Sequence, residues 1–70
     1  MLFIISILLW LGIINPQNTY TEEQINQYGQ NNSQTIEMVQ NNSTLQQQID
    51  QDYGSTAVVI AQGMQGNGGR

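Results

Sequence analysis

One stretch governs what this chain can become. Residues 2–14, LFIISILLWLGII, are apolar throughout except for Ser6 and Gly12, whereas from Gln17 onward Gln, Asn, Ser, Thr and Gly dominate. The run is shorter than the roughly 20 residues a helix needs to cross a bilayer. It suits the apolar region of a secretory signal, although no basic segment precedes it and no small-x-small pair marks a cleavage site near Pro16. A short membrane anchor and a buried core helix are the other readings. On the first reading, residues 1–15 are a hydrophobic leader, 16–21 a linker, and the remainder is extracellular.

With 70 residues in all and such a segment set aside, little chain is left to bury a core. Cys and His are both absent, so neither a disulfide nor a zinc site is expected to supply the missing stability, and no cofactor is implied. Self-association is the remaining common source. Five acids (Glu22, Glu23, Glu37, Asp50, Asp52) oppose one base, Arg70, for a net charge of −4. That balance argues against nucleic acid and anionic membranes, both of which call for clustered Lys and Arg. Catalysis has no support either: Ser and Thr lack a neighbouring base, and no small-molecule substrate is implied.

A Gln/Asn-rich tract is by default disordered or prone to β-aggregation, because its few apolar groups do not offset chain entropy. Its spacing is nevertheless regular. An aliphatic residue stands two positions before a glutamine at Ile25/Gln27, Met38/Gln40, Ile49/Gln51 and Ile60/Gln62; the last three glutamines are eleven residues apart, the first interval thirteen. Five residues beyond Gln27 and Gln62 come Asn32 and Asn67, and Gly29, Gly54, Gly63 and Gly66 fall in the expected turns. Short strands separated by turns fit this pattern. With period 2, Met38 and Gln40, Ile49 and Gln51, and Ile60 and Gln62 share one face. An inward glutamine is satisfied when identical amides stack about 4.8 Å apart along a fibre axis.

At these residues the chain resembles the curlins, subunits of the extracellular functional amyloid of bacterial biofilms. QYGQNN (Gln27, Gly29, Asn32) matches the centre of the curlin repeat, QGMQGN (Gln62, Asn67) keeps its Gln-to-Asn spacing, and Gln40, Gln51 and Gln62 keep its stride. The middle corners depart from it, with Leu45 and Thr56 in place of Asn, and the family's Ala position holds Gln34, Gln47 and Val58. The resemblance implies an all-β fold: a β-solenoid of about two turns over residues 22–68, cross-β when polymerised, behind a hydrophobic N-terminal helix, with 69–70 as a tail. It further implies a secreted subunit or nucleator of curli-like fibres in biofilm and adhesion. The expected partners are itself, a nucleator or major subunit, and an outer-membrane secretion channel. The ladder would be Gln27, Gln40, Gln51, Gln62, Asn32 and Asn67, with Ile25, Met38, Ile49 and Ile60 inside.

A helical reading competes with it. TEEQ at 21–24 matches a capping box, and Ile36/Val39 and Leu45/Ile49 stand at helical spacings, which gives a small membrane-tethered protein with a helical or disordered partner-binding tail. Against it, Gly29, Asn31, Asn32, Asn41, Asn42 and Ser43 interrupt any long helix. Asp50, Asp52 and Gly54 begin like a calcium loop, but Gly54 comes one place early and Ala61 holds the position of the bidentate acid. Glu37, Asp50 and Asp52 read as solvated charges or as groups that slow stacking.

Overall fold

The computed structural model describes residues 2–68, with side chains described over 3–64. It contains four helices: α1 (Leu2–Trp10), α2 (Glu22–Asn31), α3 (Ser33–Gln40) and α4 (Ser43–Gly68), and no strand among the described residues. The expected β-solenoid is therefore corrected to an all-helical fold. The physical reason lies in the stride itself. Eleven residues make three turns of helix at 3.67 residues each, so a repeat of that length keeps its positions on one helical face as readily as on successive strands. Two residues along a helix turn about 200°, which sends the aliphatic and the glutamine of each pair to opposite sides.

Helix α1 is apolar on every side, the pattern of a helix enclosed by protein. Ile5, Ser6, Ile7, Leu8 and Leu9 are all buried, so α1 lies at the centre of the fold. It ends at Gly12, whose φ of 78° is the left-handed value glycine adopts without steric cost. The Gly12 N–H donates to the Leu9 carbonyl at 3.0 Å and the Ile13 N–H to that of Leu8 at 3.0 Å. This pair of bonds is the Schellman closure of a helix C-terminus. A turn follows: the Asn18 N–H reaches the Asn15 carbonyl at 3.0 Å, and the Asn15 side-chain oxygen accepts from the Gln17 N–H at 2.9 Å. The Tyr20 hydroxyl then accepts from the Asn15 N–H at 2.8 Å, tying this connection to the start of α2.

The TEEQ stretch is a capping box in full. Thr21 Oγ1 accepts from the Gln24 N–H at 3.1 Å, and Gln24 Oε1 accepts from the Thr21 N–H at 2.9 Å. Glu22 and Glu23 occupy the first turn, where carboxylates favour the positive end of the helix dipole. Asn32 closes α2 by donating its side-chain amide to the Tyr28 carbonyl at 2.8 Å, and its own carbonyl accepts the Ile36 N–H of α3 at 2.9 Å. Asn42 opens α4 by accepting the Leu45 N–H on Oδ1 at 3.1 Å.

The core consists of two clusters. Ile5, Leu8, Leu9, Ile14, Ile25, Ala57, Ile60 and Met64 form one; Ile7, Ile36, Val39 and Ile49 form the other. Ile4 and Tyr53 pack against both and join them. The inner stripe of α4 runs Leu45, Ile49, Tyr53, Ala57, Ile60 and Met64, with steps of four or three residues. Tyr20 meets Tyr28 edge to face, with ring centroids 6.2 Å apart and planes at 79°. That pair packs at the edge of the core.

Candidate functional site

Where α2 meets α3, a groove of about 500 Å³ opens against α1. Ile4 from α1, Ile25 from α2 and Ile36 from α3 supply its apolar lining. Gly29 lies among them, and a β-carbon built there would stand 3.6 Å from Ile4 Cγ2. Without a side chain at that point, the groove stays open above Ile4. Asn26, Gln30, Ser33, Glu37 and Gln40 supply the polar lining. Four of these five are neutral hydrogen-bonding groups that can both donate and accept, and Glu37 is the groove's one acid.

The elements hold this geometry through local chemistry. Ile25 and Gly29 are four residues apart on α2, as are Asn26 and Gln30, so each pair rises along one side of the helix. Ser33, Ile36, Glu37 and Gln40 repeat at three- and four-residue steps on α3. At the Asn32 joint between the two helices, the Tyr28 carbonyl accepts both the Asn32 backbone N–H at 3.1 Å and the Asn32 side-chain amide at 2.8 Å.

The expected ladder does not assemble. Gln27, Gln40, Gln51 and Gln62 are each exposed, Gln40 alone lining the groove. Asn32 is a half-buried helix joint, and Asn67 lies outside the described side chains. Of the four expected interior aliphatics, Ile25, Ile49 and Ile60 are buried, but Met38 is 61% exposed. The break at Asn41 and Asn42 separates α3 from α4 and takes Met38 out of register with Ile49 and Ile60. Gly29, Gly54, Gly63 and Gly66 are all helical residues where turns were expected, and the tail at 69–70 lies outside the described residues.

The groove was hidden from sequence reasoning because its three isoleucines come from three different helices. The signal available was the spacing of Asn26, Gln30, Ser33, Glu37 and Gln40, a neutral polar stripe beside Ile25 and Ile36. Among the described residues no three acidic side chains converge on a metal-sized space. Its lining of isoleucines and neutral amides suits the groove to recognition by apolar contact and neutral hydrogen bonds. No family model, no curated protein and no solved structure matches this chain.

Proposed function

We propose that this protein is a small helical binding module that takes an uncharged, aliphatic peptide segment of a partner protein into the groove between α2 and α3. The observation that carries this reading is the part-exposed Ile4 at the floor of the groove, left open at Gly29 beside the buried Ile25 and Ile36 and accompanied by neutral amides. An extended peptide presents backbone N–H and C=O groups along its length, and Asn26, Gln30 and Gln40 can bond both kinds. Its aliphatic side chains would cover apolar surface, at roughly 25 cal/mol per Å² removed from water. The fibre-subunit expectation rested on the repeat resemblance together with strands and stacked amides, and the described residues form helices in place of those strands.

The test is nuclear magnetic resonance titration of the full chain with a capped neutral tetrapeptide, acetyl-Ala-Ile-Gln-Ile-amide. Shifts should concentrate on the amides of Asn26, Gly29, Gln30, Glu37 and Gln40, and Gly29→Leu, which places a side chain over Ile4, should remove them while circular dichroism stays helical. Shifts spread over α4, or persisting unchanged in Gly29→Leu, count against the groove.

A further inference from the structure

The end of α1 carries a second feature, separate from the groove. Trp10, Leu11 and Ile13 are 38%, 37% and 36% exposed, three large apolar residues within four positions. Of the other exposed large apolar residues, Met38 stands alone in sequence, and Val58 and Val59 form a pair on α4. Single exposed apolar residues are ordinary on any protein, but three within one turn form a cluster.

Two observations bear on what covers this turn. First, its backbone donors are already satisfied. The N–H groups of Leu11, Gly12 and Ile13 bond the carbonyls of Ile7, Leu9 and Leu8 at 2.9, 3.0 and 3.0 Å, so at a headgroup interface only the turn's carbonyls call for water or headgroup partners. Second, residues 1–21 contain no acidic or basic side chain, while all five acids lie on α2, α3 and α4. The turn itself is neutral, and the body behind it is negative.

We propose that the turn at 10–13 docks on the interface of a zwitterionic lipid bilayer, with Trp10 at headgroup depth and Leu11 and Ile13 against the first acyl carbons. Tryptophan favours this zone because its ring is apolar and its N–H still finds a polar partner. An anionic surface is disfavoured, because a net charge of −4 with a single base repels it. The contact is superficial: among the described residues no helix is long and apolar enough to cross a membrane.

Trp10 is the chain's one tryptophan, so its emission reports the site directly. Adding phosphatidylcholine vesicles to the full chain should move that emission to shorter wavelength, and lipids brominated near the headgroup end of the acyl chain should quench it more than lipids brominated near the chain terminus. Vesicles with added phosphatidylglycerol should bind less at low salt, with the difference closing at high salt. Leu11→Ser/Ile13→Ser should weaken binding about tenfold or more. Four outcomes overturn the proposal: no spectral change or quenching with phosphatidylcholine in the unaltered chain, equal or tighter binding to the anionic vesicles at low salt, an emission shift that follows protein concentration without lipid, or deepest quenching at the chain terminus. The third would assign the turn to a second copy of the chain. Because the unaltered chain carries the quenching measurement, a double variant that fails to fold does not decide the matter.

Discussion

Gly29 of α2 lies directly over Ile4 of α1, near enough that a β-carbon added to the glycine would stand 3.6 Å from Ile4 Cγ2. That separation is ordinary van der Waals contact, so Gly29→Ala adds a methyl group without displacing the helix. It also removes the entropic disadvantage of glycine inside a helix. The expected result is a gain of about 0.5–1 kcal/mol in unfolding free energy, measured by urea denaturation followed at 222 nm. A loss of similar size would mean that the helices are closer than this geometry allows.

Gly12→Ala should have the opposite sign. At φ 78° a β-carbon is strained whatever space surrounds it, and here the space is open, with no atom within 4 Å. The expected cost is about 1–2 kcal/mol from backbone strain alone. Comparing Gly12→Ala with Gly29→Ala by the same denaturation therefore separates a glycine needed for its φ from one that leaves room for a groove. If both variants gained stability, the Schellman closure of α1 would be wrong.

The reciprocal bonds between Thr21 and Gln24 make a third test. Thr21→Ala deletes the acceptor for the Gln24 N–H and should cost about 1 kcal/mol. Gln24→Ala deletes the return bond, and because the two form one unit the double variant should cost less than the sum of the singles. Simple additivity in a double-mutant cycle would break the box into two unrelated contacts.

Leu8, in the last turn of α1, is fully buried and packs within the cluster that includes Ile25, Ala57 and Ile60. Leu8→Ala should cost about 2–5 kcal/mol, the range for leucine truncation in a core. In a chain this small that approaches the whole stability, so the variant should melt at or below room temperature. Removing residues 1–15 should go further and leave 16–70 without cooperative unfolding. A truncated chain that kept a sharp thermal transition would show that α2–α4 hold together without α1.

Local helix signals stand in the sequence, but the regular glutamine stride outweighed them in favour of strands, and the all-helical architecture was not legible. TEEQ carried the start of α2, and the spacings of Ile36 with Val39 and of Leu45 with Ile49 carried two buried faces. The Asn-rich stretches at 31–32 and 41–42 do interrupt the chain, as helix joints in place of strand corners. By contrast, Tyr53 and Gly54 resemble a corner in isolation yet lie inside α4, where Tyr53 packs against both core clusters and tertiary contact overrides the local preference of glycine. The apolar stretch at 2–14 looks the same whether it is removed, inserted in lipid or buried. Only the inward faces of α2, α3 and α4 distinguish the last case, and those faces are partners across the fold, not neighbours in sequence. The groove shares that difficulty, since Ile4, Ile25 and Ile36 meet only after all three helices have packed.

The eleven-residue stride itself supports a final prediction. Ile49 and Ile60 are both buried, while Gln51 and Gln62, each two residues further on, are both exposed, as a helix of 3.67 residues per repeat turn requires. If glutamines instead stacked in a ladder, replacing them would remove a set of core hydrogen bonds and impair folding or assembly. On the outside of helices they contribute little, and alanine has the higher helix propensity. Gln40→Ala/Gln51→Ala/Gln62→Ala should therefore leave stability within about 1 kcal/mol of the parent, since exposed substitutions seldom exceed about 0.5 kcal/mol each. Far-UV circular dichroism should show equal or greater helix content, with no lag-phase conversion to β-structure in either protein. Ile49→Ala/Ile60→Ala, made on the same stride but on the inner face, should by contrast unfold the chain. A triple glutamine variant as damaging as that isoleucine pair would mean the amides, not the isoleucines, face inward.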